Sequence, residues 1–422
     1  MFSGGNSSVE AYDVVVVGGG SAGCGAAVGA AQAGARVLLV ERYGFLGGAA
    51  TISGVLTYCG FFDQQRRQVV FGVGEQVLER FRARGACQEA YFAWSGNTFV
   101  LLDNETVKMV LDEVTQEAGV EVRLHSQVIG ATVDDRKVVE VEYVDHGGRH
   151  RVEAAASVDG SGDGDLSHLA DAPTRVAALA ERQTSTLCTR IGGVSADADL
   201  SADGLKAAVG AWNATADEPL PRDTGVIIRL PVGGEVHLQI IDELVDGLDA
   251  RSMSEHERHG RVQTWQYLKA FRRYLHGFSD AYLIQTGPQL GIRESRHLVG
   301  RTQVTRDDVI HARKRPDEVI ALCGWPIEDH RGGPGKTAYT PIDGRGHYDI
   351  GYDSIRARDV DNLFACGRLT SADDDAYASL RVQGTAFATG HGAGIAAALL
   401  AATGHPDTGS VQKELRRQHA MI

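Results

Sequence analysis

Val14-Val15-Val16-Val17-Gly18-Gly19-Gly20-Ser21-Ala22-Gly23 is the stretch on which the fold turns. Four consecutive β-branched residues are too few for a helix core and suit a strand buried on both faces. The strand runs straight into glycines, and Cys24 to Ala33 is rich in small residues that continue as a helix. In a G-x-G-x-x-G arrangement Gly18 permits the tight turn and Gly20 lets a pyrophosphate approach the backbone, while Gly23 lets the helix sit close to the strand. Ser21 and Ala22 open that helix, whose N-terminus offers unpaired N–H groups and partial positive charge to phosphates. Ala35 to Val40 reads as the second strand and ends on Glu41, roughly 20 residues past the loop, where an acid binds a ribose diol. An acid there repels the 2′-phosphate of NADP. A glycine-rich turn without a ligand is the alternative, but strand, glycines, helix, strand and acid in register point to a bound dinucleotide.

More segments of the same character follow. Gly44-Phe45-Leu46-Gly47-Gly48-Ala49-Ala50-Thr51 comes after Glu41-Arg42, and Val158-Asp159-Gly160-Ser161-Gly162-Asp163-Gly164-Asp165-Leu166 ends a third apolar run. Gly291-Ile292-Arg293-Glu294-Ser295-Arg296 lies further on. Asp361-Asn362-Leu363-Phe364-Ala365-Cys366-Gly367-Arg368 and the stretch from Ala378 to Gly394 close the set. In these motifs the chain resembles the FAD-dependent oxidoreductases with a glutathione-reductase-type, p-hydroxybenzoate-hydroxylase-like FAD-binding fold.

The resemblance spans most of the chain and implies FAD as cofactor. It assigns Gly18, Gly20, Ser21, Ala22, Gly23, Glu41 and Arg42 to the nucleotide half, and Gly47, Gly48, Ala49 and Thr51 to a segment passing beside the flavin. It gives Val128 the adenine, and puts Asp159, Gly160, Gly367 and Arg368 at strand ends against the cofactor. Arg381, Gly384 and Thr385 would open a helix pointing at the flavin pyrimidine, where negative charge collects on reduction. Two segments depart from the family pattern. Ser371-Ala372-Asp373-Asp374-Asp375-Ala376 has Asp374 where the family often has histidine, and Arg381-Val382-Gln383-Gly384 replaces Arg-Val-Met-Pro. Both lie where the resemblance places the isoalloxazine ring.

The implied fold class is α/β: a Rossmann-like FAD-binding domain of parallel sheet plus β-meander, interleaved with an α+β substrate domain. The FAD-binding domain is expected to take residues 1–70, 100–172 and 335–422, and the substrate domain 71–99 and 173–334. Gln68 to Arg84 and Thr106 to Ala118 read as amphipathic helices, and a charged helix is expected near Glu255 to His276. Val138–Val144 and Arg149–Ala156 read as paired strands joined at His146-Gly147-Gly148.

The 422 residues, 43% hydrophobic, can bury a large core. A net charge of −13 argues against a nucleic-acid partner, which needs clustered Lys and Arg. No run is read as the roughly 18 apolar residues of a membrane span. Met1 to Tyr12 lacks a signal-peptide core and is expected to be a disordered tail. Six cysteines (24, 59, 87, 188, 323 and 366) contain no C-x-x-C pair, which excludes a redox-active disulfide of that type and fits a cytoplasmic protein. Cys59 lies in a stretch expected near the flavin, where a covalent thioether is conceivable. No metal site is expected: the run Asp373-Asp374-Asp375 reads as a solvated loop. A homodimer is compatible with the sequence.

No second nucleotide fingerprint follows; Gly192-Gly193 and Gly233-Gly234 read as turns. The simplest activity is a dehydrogenase or oxidase in which a small organic substrate (an alcohol, an amine or a natural-product intermediate) gives hydride to flavin N5. Oxygen, a quinone or a carrier would reoxidise it. An NAD(P)H-dependent flavin monooxygenase is the runner-up, and a flavin-binding protein with structural FAD and no turnover is the reading from another class. The catalytic candidates are His330, Arg293, Arg381 and Tyr377. His330 suits base work, against the alternative of a surface-loop histidine. Arg293 and Arg381 would hold a substrate carboxylate or the N1 edge of reduced flavin, against structural ion pairs with Glu294 or the aspartate run. Tyr377 is a second candidate base.

Overall fold

The computed structural model describes residues 9–422. The chain enters on β1 (Glu10–Val17), whose Val14, Val15 and Val16 are fully buried. The tail expected over Met1–Tyr12 therefore stops before Glu10, and residues 1–8 lie outside the described residues. Next come α1 (Ser21–Gln32) and β2 (Val37–Val40), which runs parallel to β1 with Val14 opposite Val37 and Val17 opposite Val40. A Cβ on Gly23 would sit 1.7 Å from the Gly18 carbonyl oxygen, so only glycine lets α1 start this close to β1.

Helices α2 (Val73–Ala83) and α3 (Asn104–Glu117) follow, then β3 (Glu121–Arg123), β4 (Gln127–Asp134), β5 (Lys137–Asp145) and β6 (Gly148–Asp159). Strand β3 pairs with β2, and the twelve-residue β6 runs parallel to β1 from Val152 to Asp159. The first half of β6 pairs antiparallel with β5, and β5 with β4, which is the expected meander.

A second layer is built from β7 (Ser185–Gly192), β8 (Val226–Arg229), β9 (Val236–Glu243), α4 (Ala250–Tyr274) and β10 (Tyr282–Thr286). Its four strands form an antiparallel sheet in the order β8-β9-β7-β10. Leu187 and Ile241 of that sheet share a core with Tyr267 and Phe271 of α4. The chain returns through β11 (Val319–Cys323), a hairpin of β12 (Ile327–Asp329) and β13 (Ala338–Thr340), and β14 (Leu363–Ala365). Strand β14 joins the first sheet beside the last residues of β6, with Leu363 opposite Ser157. Helices α5 (Asp374–Leu380) and α6 (Gln383–Thr403) close the core.

Two expectations change here. The second core runs only from Leu187 to Ile292, whereas Val73, Val77, Leu78 and Phe81 of α2, and all of β11, are buried with Val14 and Val16 in the first. Hydrophobic faces in 71–99 and at the end of 173–334, the stretches expected in the substrate domain, thus have the first sheet's helices as neighbours. Second, α6 is long and apolar enough to cross a membrane, contrary to the reading that no run is. Most of it is packed inside the protein, from Gly384 to Ala398. It crosses α1 at backbone contact: a Cβ on Gly390 would lie 2.0 Å from the Ala22 carbonyl oxygen, and one on Gly394 1.9 Å from that of Ala26.

Candidate functional site

One elongated cavity follows the carboxyl ends of β1, β2, β6 and β14 and continues to the inner face of the second sheet. Ser126, Gln127 and Val128 line one end, next to Glu41 and Arg42. Gly18, Gly20, Ser21, Ala22, Gly160, Gly367 and Arg368 line its middle. Gly48, Ala49, Arg381 and Gln383 lie toward the second sheet, which contributes Thr186, Val226 and Gln239.

The residues present suit an elongated dinucleotide. Ser21 Oγ, in the first turn of α1, is buried with no hydrogen-bond partner among the described residues, and the N-cap Gly20 supplies no side-chain cap. Phosphate oxygens would accept from that hydroxyl and from the free N–H groups of the turn. A Cβ on Gly20 meets nothing nearer than 3.7 Å, so its α-face is open to the cavity. Glu41 accepts from Gly19 N at 2.6 Å and Tyr43 N at 2.9 Å. Burial pushes its pKa up against those two bonds, and hydroxyl donors of a ribose would relieve it. Arg368 donates to the carbonyls of Gly162 (2.5 Å) and Ile292 (2.9 Å) and to Asp163 Oδ1 (2.6 Å), tying the end of β14 to the Asp163 loop. Arg42 reaches Asp163 and Asp165 more loosely, at 3.7 and 3.8 Å.

Six expected cofactor residues lie off the cavity wall, each for a packing reason. Gly23 serves the α1–β1 approach described above. Gly47, at φ +118°, is needed by the turn, and its N–H donates to the Gly19 carbonyl at 2.8 Å. Thr51 Oγ1 donates to the Leu46 carbonyl at 2.8 Å, closing the same loop. Both carboxylate oxygens of Asp159 are occupied, by Ser161 N and Oγ on one side and Ser167 N and Oγ on the other. A Cβ on Gly384 would clash with Gly60 at 2.5 Å, so this glycine seats α6 on the 59–61 loop. Thr385 Oγ1 turns to Cys323 Sγ, 3.3 Å away. The residues of this helix start that do face the cavity are Val382, Gln383 and Ala386. Cys59 also lines it, with burial holding its thiol well above the ordinary range and so disfavouring the thiolate.

At the second-sheet end the β12–β13 hairpin delivers three polar side chains to the cavity: Glu328, His330 and Tyr339. His330 is buried rather than a surface-loop residue, at 6% exposure. Glu328 Oε1 accepts from Tyr339 Oη at 2.9 Å and from His330 Nε2 at 3.2 Å, and Oε2 accepts from Trp325 Nε1 at 2.9 Å. Burial opposes ionisation of Glu328, but His330, Arg381 and the Trp325 N–H together hold its pKa well below the ordinary carboxylate range. His330 is lowered to about 4, by burial first and by the nearby Arg293 charge second. The pair is therefore carboxylate and neutral imidazole at neutral pH. With Nε2–H given to Glu328, Nδ1 accepts from Thr337 Oγ1 at 3.0 Å, a residue exposed to solvent. Sequence reading missed Glu328 and Tyr339.

Arg293 and Arg381 both face this end. Arg293 Nη1 donates to the Thr184 carbonyl at 2.6 Å and lies 3.6 Å from Asp242 Oδ1. Arg381 Nη2 donates to the Glu328 carbonyl at 2.9 Å, and its Nε is buried without a partner among the described residues. Neither pairs with Glu294, which accepts from His297 and Gln183 N instead. Tyr377 is not on the cavity wall: it is fully buried, its hydroxyl donates to the Arg293 carbonyl at 2.6 Å, and burial raises its pKa. The candidate base Tyr377 thus stands behind Arg293, off the cavity wall. The aspartate run is no solvated loop either. Asp373 caps α5, Asp374 pairs with Arg175 at 2.5 Å, and Asp375 pairs with Arg306 at 2.6 Å and with Arg331. The family's histidine position is thus filled by an ion pair off the cavity.

A segment of 59 residues is 48% identical to 3-oxo-5-alpha-steroid 4-dehydrogenase of Comamonas testosteroni, covering 14% of this chain and 11% of that one. Among solved structures, the flavin-dependent brominase Bmp2 superposes with a TM-score of 0.50 at 15% identity, over 96% of this chain and 83% of its own. A geranylgeranyl bacteriochlorophyll reductase-like protein of Thermoplasma acidophilum gives 0.49 at 15% identity, over 98% and 85%. Such identities speak to the fold alone. The family described as FAD dependent oxidoreductase matches residues 13–415, so this chain belongs to that family and its cofactor is FAD.

Proposed function

We propose that the chain is a dehydrogenase or oxidase that takes two electrons from a small organic substrate, with His330 as the proton acceptor. The observation that carries this reading is the buried Glu328–His330 pair on the cavity wall, where the part lined by the glycine turns meets the second sheet. When bound, FAD supplies a two-electron acceptor at its N5 edge.

The rest is supplied by the chain. Glu328 fixes the imidazole tautomer through Nε2–H, so that Nδ1 carries the lone pair. The Thr337 hydroxyl, exposed to solvent, turns away when a donor hydroxyl or amine takes its place at Nδ1. It then offers the proton a way out after turnover. The Glu328 carboxylate stabilises the imidazolium that forms. Proton acceptance by a positioned side chain typically contributes about 10²–10⁴ in rate.

The test is anaerobic. The FAD-loaded protein is mixed with a panel of alcohols, amines and hydroxy acids, and loss of the oxidised flavin absorbance is followed. Bleaching by an organic donor, slowed at least 10²-fold in His330→Gln with FAD content unchanged, is the expected result. Bleaching by NADPH alone, with no organic donor active, would replace this reading with a monooxygenase. No bleaching by any donor would leave FAD a structural role.

A further inference from the structure

Arg293 and Arg381 both stand on the wall at the substrate end of the cavity, with Glu328 as the carboxylate beside them and His330 neutral. Asp242 is already shared, between Arg222, the Gly335 N–H at 3.1 Å and Arg293. Arg381 has only the Glu328 carbonyl, and its buried Nε–H points to no acceptor among the described residues. Its pKa is lowered by burial and by the Arg293 charge, as happens when two guanidinium groups are buried near each other. A buried donor without a partner costs about 1–3 kcal/mol, more when charged, so such a position favours a ligand that brings the acceptor.

An aromatic wall stands beside these charges. Trp94 lies edge-on to Tyr339, with ring centroids 6.3 Å apart, and 6.2 Å from Phe99. All three line the cavity, and Trp94 is 61% exposed, at the turn after Cys87–Phe92, so it marks the mouth. Val226 and Ile292 add aliphatic surface. An exposed tryptophan continuous with a buried aromatic wall suits a flat apolar body entering from solvent.

We propose that the substrate is an aromatic organic acid, its carboxylate held by Arg381 and Arg293 and its ring system lying against Trp94, Tyr339 and Phe99. This rests on the reading of the second-sheet end as the substrate site. The guanidinium fork meets a carboxylate with two parallel hydrogen bonds, which a neutral carboxamide cannot match. The acid group then lies beside His330, so the oxidised carbon is close to the carboxylate. Reduced flavin is the other anion that Arg381 could meet. The oxidised ring is uncharged, so binding measured on the oxidised protein separates the two.

The oxidised, FAD-loaded protein is titrated with 2-naphthoate and with 2-naphthamide, and binding is read by calorimetry and by the shift of the flavin absorbance bands. We expect 2-naphthoate to bind at least tenfold tighter than the amide, with Arg381→Gln abolishing the difference and Trp94→Ala weakening both ligands severalfold. Equal affinities for acid and amide overturn the proposal, as does a full preference retained in Arg381→Gln. If that variant fails to load FAD, Arg293→Gln is judged by the same criterion. Acid-selective binding without flavin reduction by any donor would refute the dehydrogenase reading and leave the anion site standing. Reduction by neutral donors with no preference for acids would do the reverse.

Discussion

Replacing Gly394 by alanine tests the backbone contact on which the cofactor domain is built. Its Cβ would stand 1.9 Å from the Ala26 carbonyl oxygen and 2.6 Å from its carbon, both backbone atoms that no rotamer change removes. To reach a tolerable separation of about 3 Å, α6 and α1 must part by roughly 1 Å, and overpacking of that kind costs about 1–3 kcal/mol. Alanine returns about 1 kcal/mol through its better helix propensity. Because the obstacle is rigid, the upper end of the cost applies, and Gly394→Ala should lose about 2 kcal/mol. Gly210, in the helix Ala202–Asn213, is the control: it is exposed, and a Cβ there meets nothing within 4 Å. Gly210→Ala should gain up to about 1 kcal/mol. Unfolding of both apo variants in urea, followed by circular dichroism, gives the comparison, and FAD titration gives a second readout. The α1 N-terminus offers the N–H groups suited to the FAD phosphates, so Gly394→Ala should also weaken FAD binding while Gly210→Ala leaves it unchanged. A Gly394→Ala protein as stable as the parent would refute the crossing.

Acid should destabilise the fold through its buried histidines. His330 and His391 are lowered to about 4 and His237 to about 3, chiefly by burial, so below about pH 6.5 the unfolded chain binds protons the folded one refuses. Stability should be full above that pH and fall from about 6.5 to 4. At His391 the full shift corresponds to about 3 kcal/mol, so the drop in Tm between pH 7.5 and 5 should be smaller in His391→Gln, and equal drops would contradict the assignment. Glu328→Gln leaves His330 without its carboxylate partner; flavin reduction by a working donor should slow by about 10²–10⁴ with FAD content retained, and an unchanged rate would remove Glu328 from the mechanism. Asp375→Asn breaks the links to Arg331 and Arg306. Proteolysis at the Gly332–Gly335 tip should accelerate severalfold while FAD affinity holds, and an unchanged cleavage rate would show that the tip is held elsewhere.

The cofactor half was legible where backbone geometry itself demands glycine. At Gly18, Gly20, Gly160 and Gly367 a side chain would either clash or close the cavity, so those letters report the site directly. Thr51, Asp159, Gly384 and Thr385 come from the same motifs, yet they hold the loops that hold the cofactor. A motif gives nearness along the chain, whereas facing depends on helix phase: Gln383 and Ala386 reach the cavity, and Gly384 and Thr385 between them turn to the 59–61 loop and to Cys323. Glu328 had a usable signal. Ile327-Glu328-Asp329-His330 alternates with period two, which puts Glu328 on the same strand face as His330. Tyr339 had none, because it meets Glu328 only through the register of β12 with β13, where Glu328 stands opposite Tyr339. Which core buries α2 and β11 was not legible, for a related reason. An amphipathic face shows that a segment is buried and leaves open which of two cores buries it.

The departure at Asp373–Asp375 and the hairpin that carries His330 belong to one arrangement. The hairpin that carries Glu328, His330 and Tyr339 is short, three paired residues a side, and its tip is rich in glycine, so it could not keep its shape by strand pairing alone. Its rigidity comes from outside. Arg331 pairs with Asp329 within the hairpin and with Asp375 at the start of α5, while the tip N–H of Gly335 donates to Asp242 of β9. Gln183 reaches in from the loop before β7, donating to Asp329 at 3.1 Å and accepting from His330 N at 2.7 Å. The Glu328–His330 pair is thus fixed by one anchor on the cofactor domain and two on the second layer. Asp375, one residue past the position where the family pattern often has histidine, fastens through Arg331 the hairpin that bears His330, on the cavity wall with Arg293 and Arg381.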